Sequence, residues 1–210
     1  MNLAILMLAA ATAVVHVPEK LSDLKMQIKD NAANFNHVRL VNVAGAVSEK
    51  DWPIVTAFPA SRVQISCALA NLGSSKEVDA LLARPESLTE KFGPKAKLFV
   101  FVEDSDAVWP VVSSPASYCR VNIRPLKADK PDATKLRDRI AKQILRGINY
   151  AAGGGGSTDW RSVTYVKAHT LADFDKCLFT IAPDAYFPLL ECLRAVGGDE
   201  IVSFNHNTEE

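Results

Sequence analysis

The segment Lys97–Glu103, KLFVFVE, constrains the fold more than any other part of the chain. Successive residues of a strand point to opposite faces, so the unbroken apolar run Leu98–Val102 needs cover on both sides. It predicts a central strand in a sheet with helices above and below. The flanking sequence supports this. Val38–Ala46, VRLVNVAGA, and Arg62–Ala70 read as further strands, and Tyr118–Arg124, YCRVNIR, alternates like a half-buried strand nearer the edge. Helical signals separate them. Ser48 with Asp51 opens a short helix over 49–58 that Pro59 should end, Ser74 with Glu77 caps VDALLA, and Ser87 with Glu90 repeats the device. Asp104–Pro115, with Trp109 and Pro110, reads as a loop. Alternating strands and helices predict an α/β fold: a single domain with a mixed, mainly parallel sheet flanked by helices.

The longest helix is expected at 132–152. Asp132 is its N-cap, and Leu136, Ile140, Ile144 and Ile148 form one i, i+4 stripe. Arg139, Lys142 and Arg146 lie on the opposite side. Gly153 is placed to stop the helix in a left-handed cap. Beyond it a small C-terminal helical lobe is expected. It comprises a short strand Val163–Val166, a helical turn capped by Thr170 and Asp173, a last helix from Pro188 to Val196, and a final strand Ile201–Phe204. A further helix is expected at 18–36.

With 210 residues, 48% of them apolar, the chain suits one domain with a substantial core. Lys plus Arg equals Asp plus Glu at 24 each, so no global field favours nucleic acid or an anionic membrane. Leu3–Val15 carries no charge and is too short for a stable membrane span. Residues 1–15 match the apolar segment of a secretory signal, with Ala11 and Ala13 suiting cleavage; the competing reading is a retained, buried apolar segment. Export to the periplasm or the extracellular space is expected in the first case, and a cytoplasmic protein in the second. Residues 16–210 form the α/β domain. Cys67, Cys119, Cys177 and Cys192 read as small buried hydrophobes, with two disulfides as the alternative if the chain is exported.

Candidate chemistries are few. Gly153–Gly156 follows a helix instead of opening one, and no lysine comes before Lys167, which argues against a phosphate-binding loop. His16, His37, His169 and His206 have no partner at structural-zinc spacing. Cys177 with His169, oriented by Asp173 or Asp175, is a thiolate pair any chain of this size offers by chance. Asp104, Asp106 and Asn122, at the ends of strands, are better placed, because ligands of α/β sheets bind there; the simpler reading is a solvated acidic turn.

From Val38 onward the element order resembles a metzincin metallopeptidase, in particular an archaemetzincin-like domain, over about 38–204. In that family the long helix carries H-E-x-x-H-x-x-G-x-x-H. Two histidines bind zinc, the glutamate is the general base, and the glycine lets the chain turn toward a third ligand. The matching stretch here is Ile140-Ala141-Lys142-Gln143-Ile144-Leu145-Arg146-Gly147-Ile148-Asn149-Tyr150. Gly147 keeps the glycine position, while Ile140, Ile144 and Tyr150 stand at the ligand positions and Ala141 at the glutamate position. SVTYVKAHTLADFD resembles the segment that follows, without the family's cysteines or Met-turn. The resemblance therefore implies a degenerate site with no catalytic residues, no metal and no cofactor. Ile140, Ala141, Ile144 and Ile148 should be buried and dry, and Gly147 should serve packing against a close strand. The expected role is binding or assembly, with an unidentified protein or small-molecule partner contacted by residues such as Trp52, Phe58, Trp109 or Trp160. The second reading is a hydrolase of another class at Asp104, Asp106 and Asn122.

Overall fold

The computed structural model describes residues 38–62, 67–84, 86–106, 111–114, 117–187, 189 and 191. The expectations at residues 1–15, 18–36 and 201–204, those at 188–196 apart from the helical Leu189 and Glu191, and those for His16, His37, Trp109, Cys192 and His206 lie outside them. Five strands form one sheet in the order β2-β1-β3-β5-β4: β1 Val38–Val43, β2 Cys67–Leu72, β3 Leu98–Glu103, β4 Val111–Ser114 and β5 Tyr118–Asn122. The first four in that order pair in parallel, and β4 is antiparallel to β5. KLFVFVE is the middle strand, and every residue of β3 is buried.

The pleat explains the layers. Val38, Leu40, Leu98, Val100, Val102, Cys119 and Val121 face helices α1 (Trp52–Arg62) and α4 (Ala133–Ala151). Val41, Val43, Phe99 and Phe101 face the other way, onto α2 (Ser75–Leu82) and α3 (Glu86–Phe92). Residues of both sets alternate along the strands, as period-two geometry requires. A short helix α5 (Leu171–Lys176) and a helical turn at 183–187 complete the described part.

Several boundaries differ from expectation. β1 ends at Val43 because Ala44 and Gly45 take positive φ, and the Asn42 side chain closes the turn through both backbone groups of Val47. Ser48 does accept a bond from Asp51 N, but α1 starts at Trp52 and runs through Pro59 to Arg62. Burial of Val55 and Phe58 against the core outweighs the hydrogen bond lost at the proline. α3 starts at Glu86, so Ser87 is inside it and donates to Arg84 O instead of capping. β4 lies within the expected 104–115 loop. Val163–Val166 is not a strand; isolated bridges Ser157–Tyr165 and Ser162–Thr180 hold that region. The capping at Ser74 and Asp132 and the full box of Thr170 with Asp173 are as expected.

Candidate functional site: the long helix and its surroundings

Helix α4 begins with Asp132 accepting from Lys135 N at 2.8 Å. It ends in a Schellman turn. Gly153 has φ +78°, its N–H donates to Tyr150 O, and Gly154 N–H donates to Asn149 O at 2.8 Å. Between these caps, Ile140 is 4% exposed, and Ala141, Ile144 and Ile148 are fully buried in the main core. The stripe is dry packing surface. Tyr150 is half-buried at the helix end.

Gly147 is buried where α4 crosses the sheet. A Cβ built there would lie 2.8 Å from both Val100 Cγ1 and Val121 Cγ2. The glycine thus admits β3 and β5 at a distance no side chain allows. It does not turn the chain: α4 continues through it to Ala151, and Gly153 makes the turn. Gly147→Val should destabilise by about 1–3 kcal/mol through overpacking, read in urea unfolding. Gly147→Ala should cost less, because alanine recovers about 1 kcal/mol of helix propensity.

The cationic side of α4 is not a solvated face. Arg139 is 1% exposed and is held by two carboxylates. Its Nε and Nη2 donate to Asp175 at 2.6 and 2.7 Å, and Nη1 and Nη2 donate to Asp129 at 2.6 and 2.8 Å. Nη1 also donates to Leu126 O. This clamp ties the loop before α4 to α5. Lys142 is nearly buried and donates to Asp175 O at 3.1 Å, and both Lys142 and Arg146 lie over the Phe174 ring.

Hydrogen bonds from Arg139 hold the Asp129 carboxyl down to about 2. At Asp175 burial acts upward, but bonds from Arg139 and Lys135 outweigh it, and the net shift is also downward. A carboxyl whose folded pKa is depressed adds stability above its unfolded pKa and loses it as pH falls through the folded value. Stability should therefore fall from about pH 4 toward about pH 2. Thermal unfolding across that range should show this, and Arg139→Met should flatten the Asp129 and Asp175 contribution.

The strand-end residues are brought together but are engaged. Asn122 is buried; its Oδ1 accepts from Ser105 N and Arg124 N, and its Nδ2 donates to Ser105 O, so it braces the loop after β3. Asp104 accepts from Arg124 Nε at 2.7 Å and Lys127 Nζ at 2.6 Å, and Asp106 accepts from Arg124 Nη1. Burial acts upward on the Asp104 carboxyl, but the Lys127 and Arg124 bonds outweigh it and hold it below its usual range. Two cations on one carboxylate weaken it as a general base. Nearby, Glu103 is buried and bidentate with Arg120 at 2.7 and 2.9 Å, and Arg120 reaches Asp79.

Cys119 and Cys177 are buried, Cys67 is half-buried, and none of the three is in a disulfide with another described residue. Burial pushes the Cys67 thiol up to about 12. The Cys177 thiol is also raised by burial, bonds Asp173 O, and is not poised as a nucleophile. Trp52 and Phe58 are core residues; Trp160 is 57% exposed on the C-terminal lobe with Val166 and Phe187. Among the described residues no helix is long and apolar enough to cross a membrane, and no three His, Cys, Asp or Glu side chains are grouped to hold a metal ion.

No family model matches the sequence, and no curated protein does. Solved structures do. A zinc-dependent peptidase from Methanocorpusculum labreanum (strain Z) matches with a TM-score of 0.60 at 14% identity, over 72% of this chain and 99% of that one. The chain has an archaemetzincin-like fold. Archaemetzincin from Methanopyrus kandleri matches with a TM-score of 0.57 at 11% identity, over 77% of this chain and 97% of that one. At these identities the likeness concerns architecture, and the archaemetzincin-like helix α4 must be judged by its own side chains.

Those side chains do not fit a zinc ion. Zinc is held by thiolate, imidazole or carboxylate. Ile140, Ile144 and Tyr150 offer a single phenol, and Ala141 cannot serve as a base. Gly153, the residue that turns the chain, gives a second way to count the motif: its positions then fall on Arg146, Gly147, Tyr150 and Gly156. That set also lacks an imidazole, thiolate or carboxylate, and a guanidinium has no lone pair to donate.

Proposed function

We propose that this chain is a non-catalytic, exported relative of the archaemetzincin-like zinc peptidases, with a binding or assembly role. The observation that carries this reading is the dry burial of Ile140 and Ile144 in the core, where a metal-binding helix would present imidazoles. Counting the motif through Gly153 also leaves no metal donor set. Without a bound cation there is no Lewis acid to lower the pKa of a water, and neither Ala141 nor Gly147 can accept its proton. Export is supported by the uncharged Leu3–Val15 stretch. A partner in such a role would contact exposed apolar residues of the C-terminal region such as Trp160, Val166 and Phe187.

Metal analysis of the purified chain tests the central point. After incubation with zinc and dialysis, the expected result is well below one zinc per chain, no zinc-dependent rise in Tm and no hydrolysis of a peptide library. Stoichiometric retained zinc, or peptide cleavage abolished by a chelator, would sink the reading. Mass spectrometry of the protein recovered from its native host should show a chain beginning near Ala13.

A further inference from the structure

One stripe of α4 carries Lys142, Arg146 and Tyr150, each four residues from the last and so stacked on one helix face. The Arg139 clamp lies one turn before it, and its charges are internally matched. The next two cations are not. Among the described residues neither Lys142 nor Arg146 comes within 4 Å of a carboxylate oxygen. Among the described residues the only acceptor of Lys142 Nζ is the Asp175 carbonyl, and Arg146 Nε is buried with no acceptor. Phe174 lies beneath both, 6.0 Å from Lys142 Nζ and 5.5 Å from the Arg146 guanidinium carbon.

We propose that Lys142, Arg146 and Tyr150 form a binding site for a small oxoanion, a carboxylate or a phosphate, between α4 and α5. A guanidinium presents parallel N–H donors that match the oxygens of either group, an ammonium adds a second charge, and a phenol adds a third kind of donor. The Phe174 ring packs against both cationic heads. Tyr150 closes the far end beside the glycine loop: a Cβ at Gly156 would lie 3.5 Å from its hydroxyl and 2.2 Å from Val166 Cγ1. The acidic neighbours do not fill the site. The Asp175 carboxylate is spent on Arg139 and Lys135, and that of Asp173 accepts from the Thr170 cap. Asp138, one turn before Lys142, is the remaining carboxylate nearby. Burial pushes the Lys142 ammonium down, and the charges of Asp138, Cys177 and Asp175 oppose it.

The site rests on these contacts and not on the absence of zinc, so its test is separate from the metal analysis. The full chain is titrated by calorimetry with inorganic phosphate, and separately with trialanine bearing a free carboxylate and with its C-terminal amide. Saturable binding is expected for phosphate or for the free-carboxylate peptide. Arg146→Gln should weaken it at least tenfold, Tyr150→Phe and Lys142→Met several-fold, and the exposed Arg84→Gln should not change it. Binding of phosphate alone assigns a free phosphate; binding of the peptide but not its amide assigns a chain-terminal carboxylate. Circular dichroism checks that each variant is folded, and if Arg146→Gln is not, protection of Arg146 from phenylglyoxal by the same anions replaces it. No saturable binding of either probe, or binding indifferent to both Arg146→Gln and Tyr150→Phe, overturns the proposal.

Discussion

Arg139→Met is expected to destabilise the fold by about 3 kcal/mol, the low end for breaking a buried ion pair, because Arg139 is buried while the Asp129 and Asp175 side chains stay 45% and 25% exposed. For a chain of this length that is a drop in Tm of about 6–12 °C. The loss comes less from the missing attraction than from what remains. Asp129 and Asp175 would face each other across an apolar side chain, and Leu126 O would lose its donor. Lys135, 3.1 Å from Asp175 and 3.8 Å from Asp129, can neutralise part of that charge. Arg139→Lys should recover only a fraction, because a single ammonium cannot span two carboxylates as a fork does. Urea unfolding of both variants checks this. An Arg139→Met protein as stable as the parent would mean the clamp is dispensable.

The Ile140→His and Ile144→His double variant should lose about 4 kcal/mol or more, and should gain no zinc site. Each change removes a buried aliphatic side chain and leaves ring nitrogens with no bonding partner in the core. If the two positions instead formed a latent metal face, zinc would raise the variant's Tm. Unfolding midpoints with and without zinc separate the outcomes; a zinc-dependent recovery would show that the helix face can open to solvent.

The fold was legible where a local pattern has only one physical solution. The run Leu98–Val102 demanded cover on two faces and has it. Ser74, Asp132 and Thr170 cap helices because a hydroxyl or carboxylate before an apolar repeat satisfies otherwise orphaned N–H groups. The stripe through Ile140 and Ile144 announced its own burial. What stayed hidden depends on distant partners. The four residues of β4 are too short to signal a strand and exist because β5 pairs with them. Arg139, Lys142 and Arg146 were legible only as lying opposite the apolar stripe. Their burial depends on Asp129 and on α5, up to 36 residues away, and no local pattern encodes that. Pro59 misled in the same way, since packing overrode propensity. At the strand ends, Asp104, Asp106 and Asn122 were legible as polar residues following β3 and ending β5, but the cations that hold the two carboxylates, Arg124 and Lys127, come from the turn that follows β5.

The empty Cβ position of Gly147 has a genetic consequence. Positions 147, 100 and 121 share one fixed volume, so none of them can drift alone. A larger residue at 147 becomes tolerable only alongside smaller ones on β3 and β5, and the three should behave as a single mutational unit. In a double-mutant cycle, Val100→Ala with Gly147→Ala should be less harmful than the sum of its parts. Substitutions in this part of the molecule should therefore be accepted in sets, with intermediates that fold poorly.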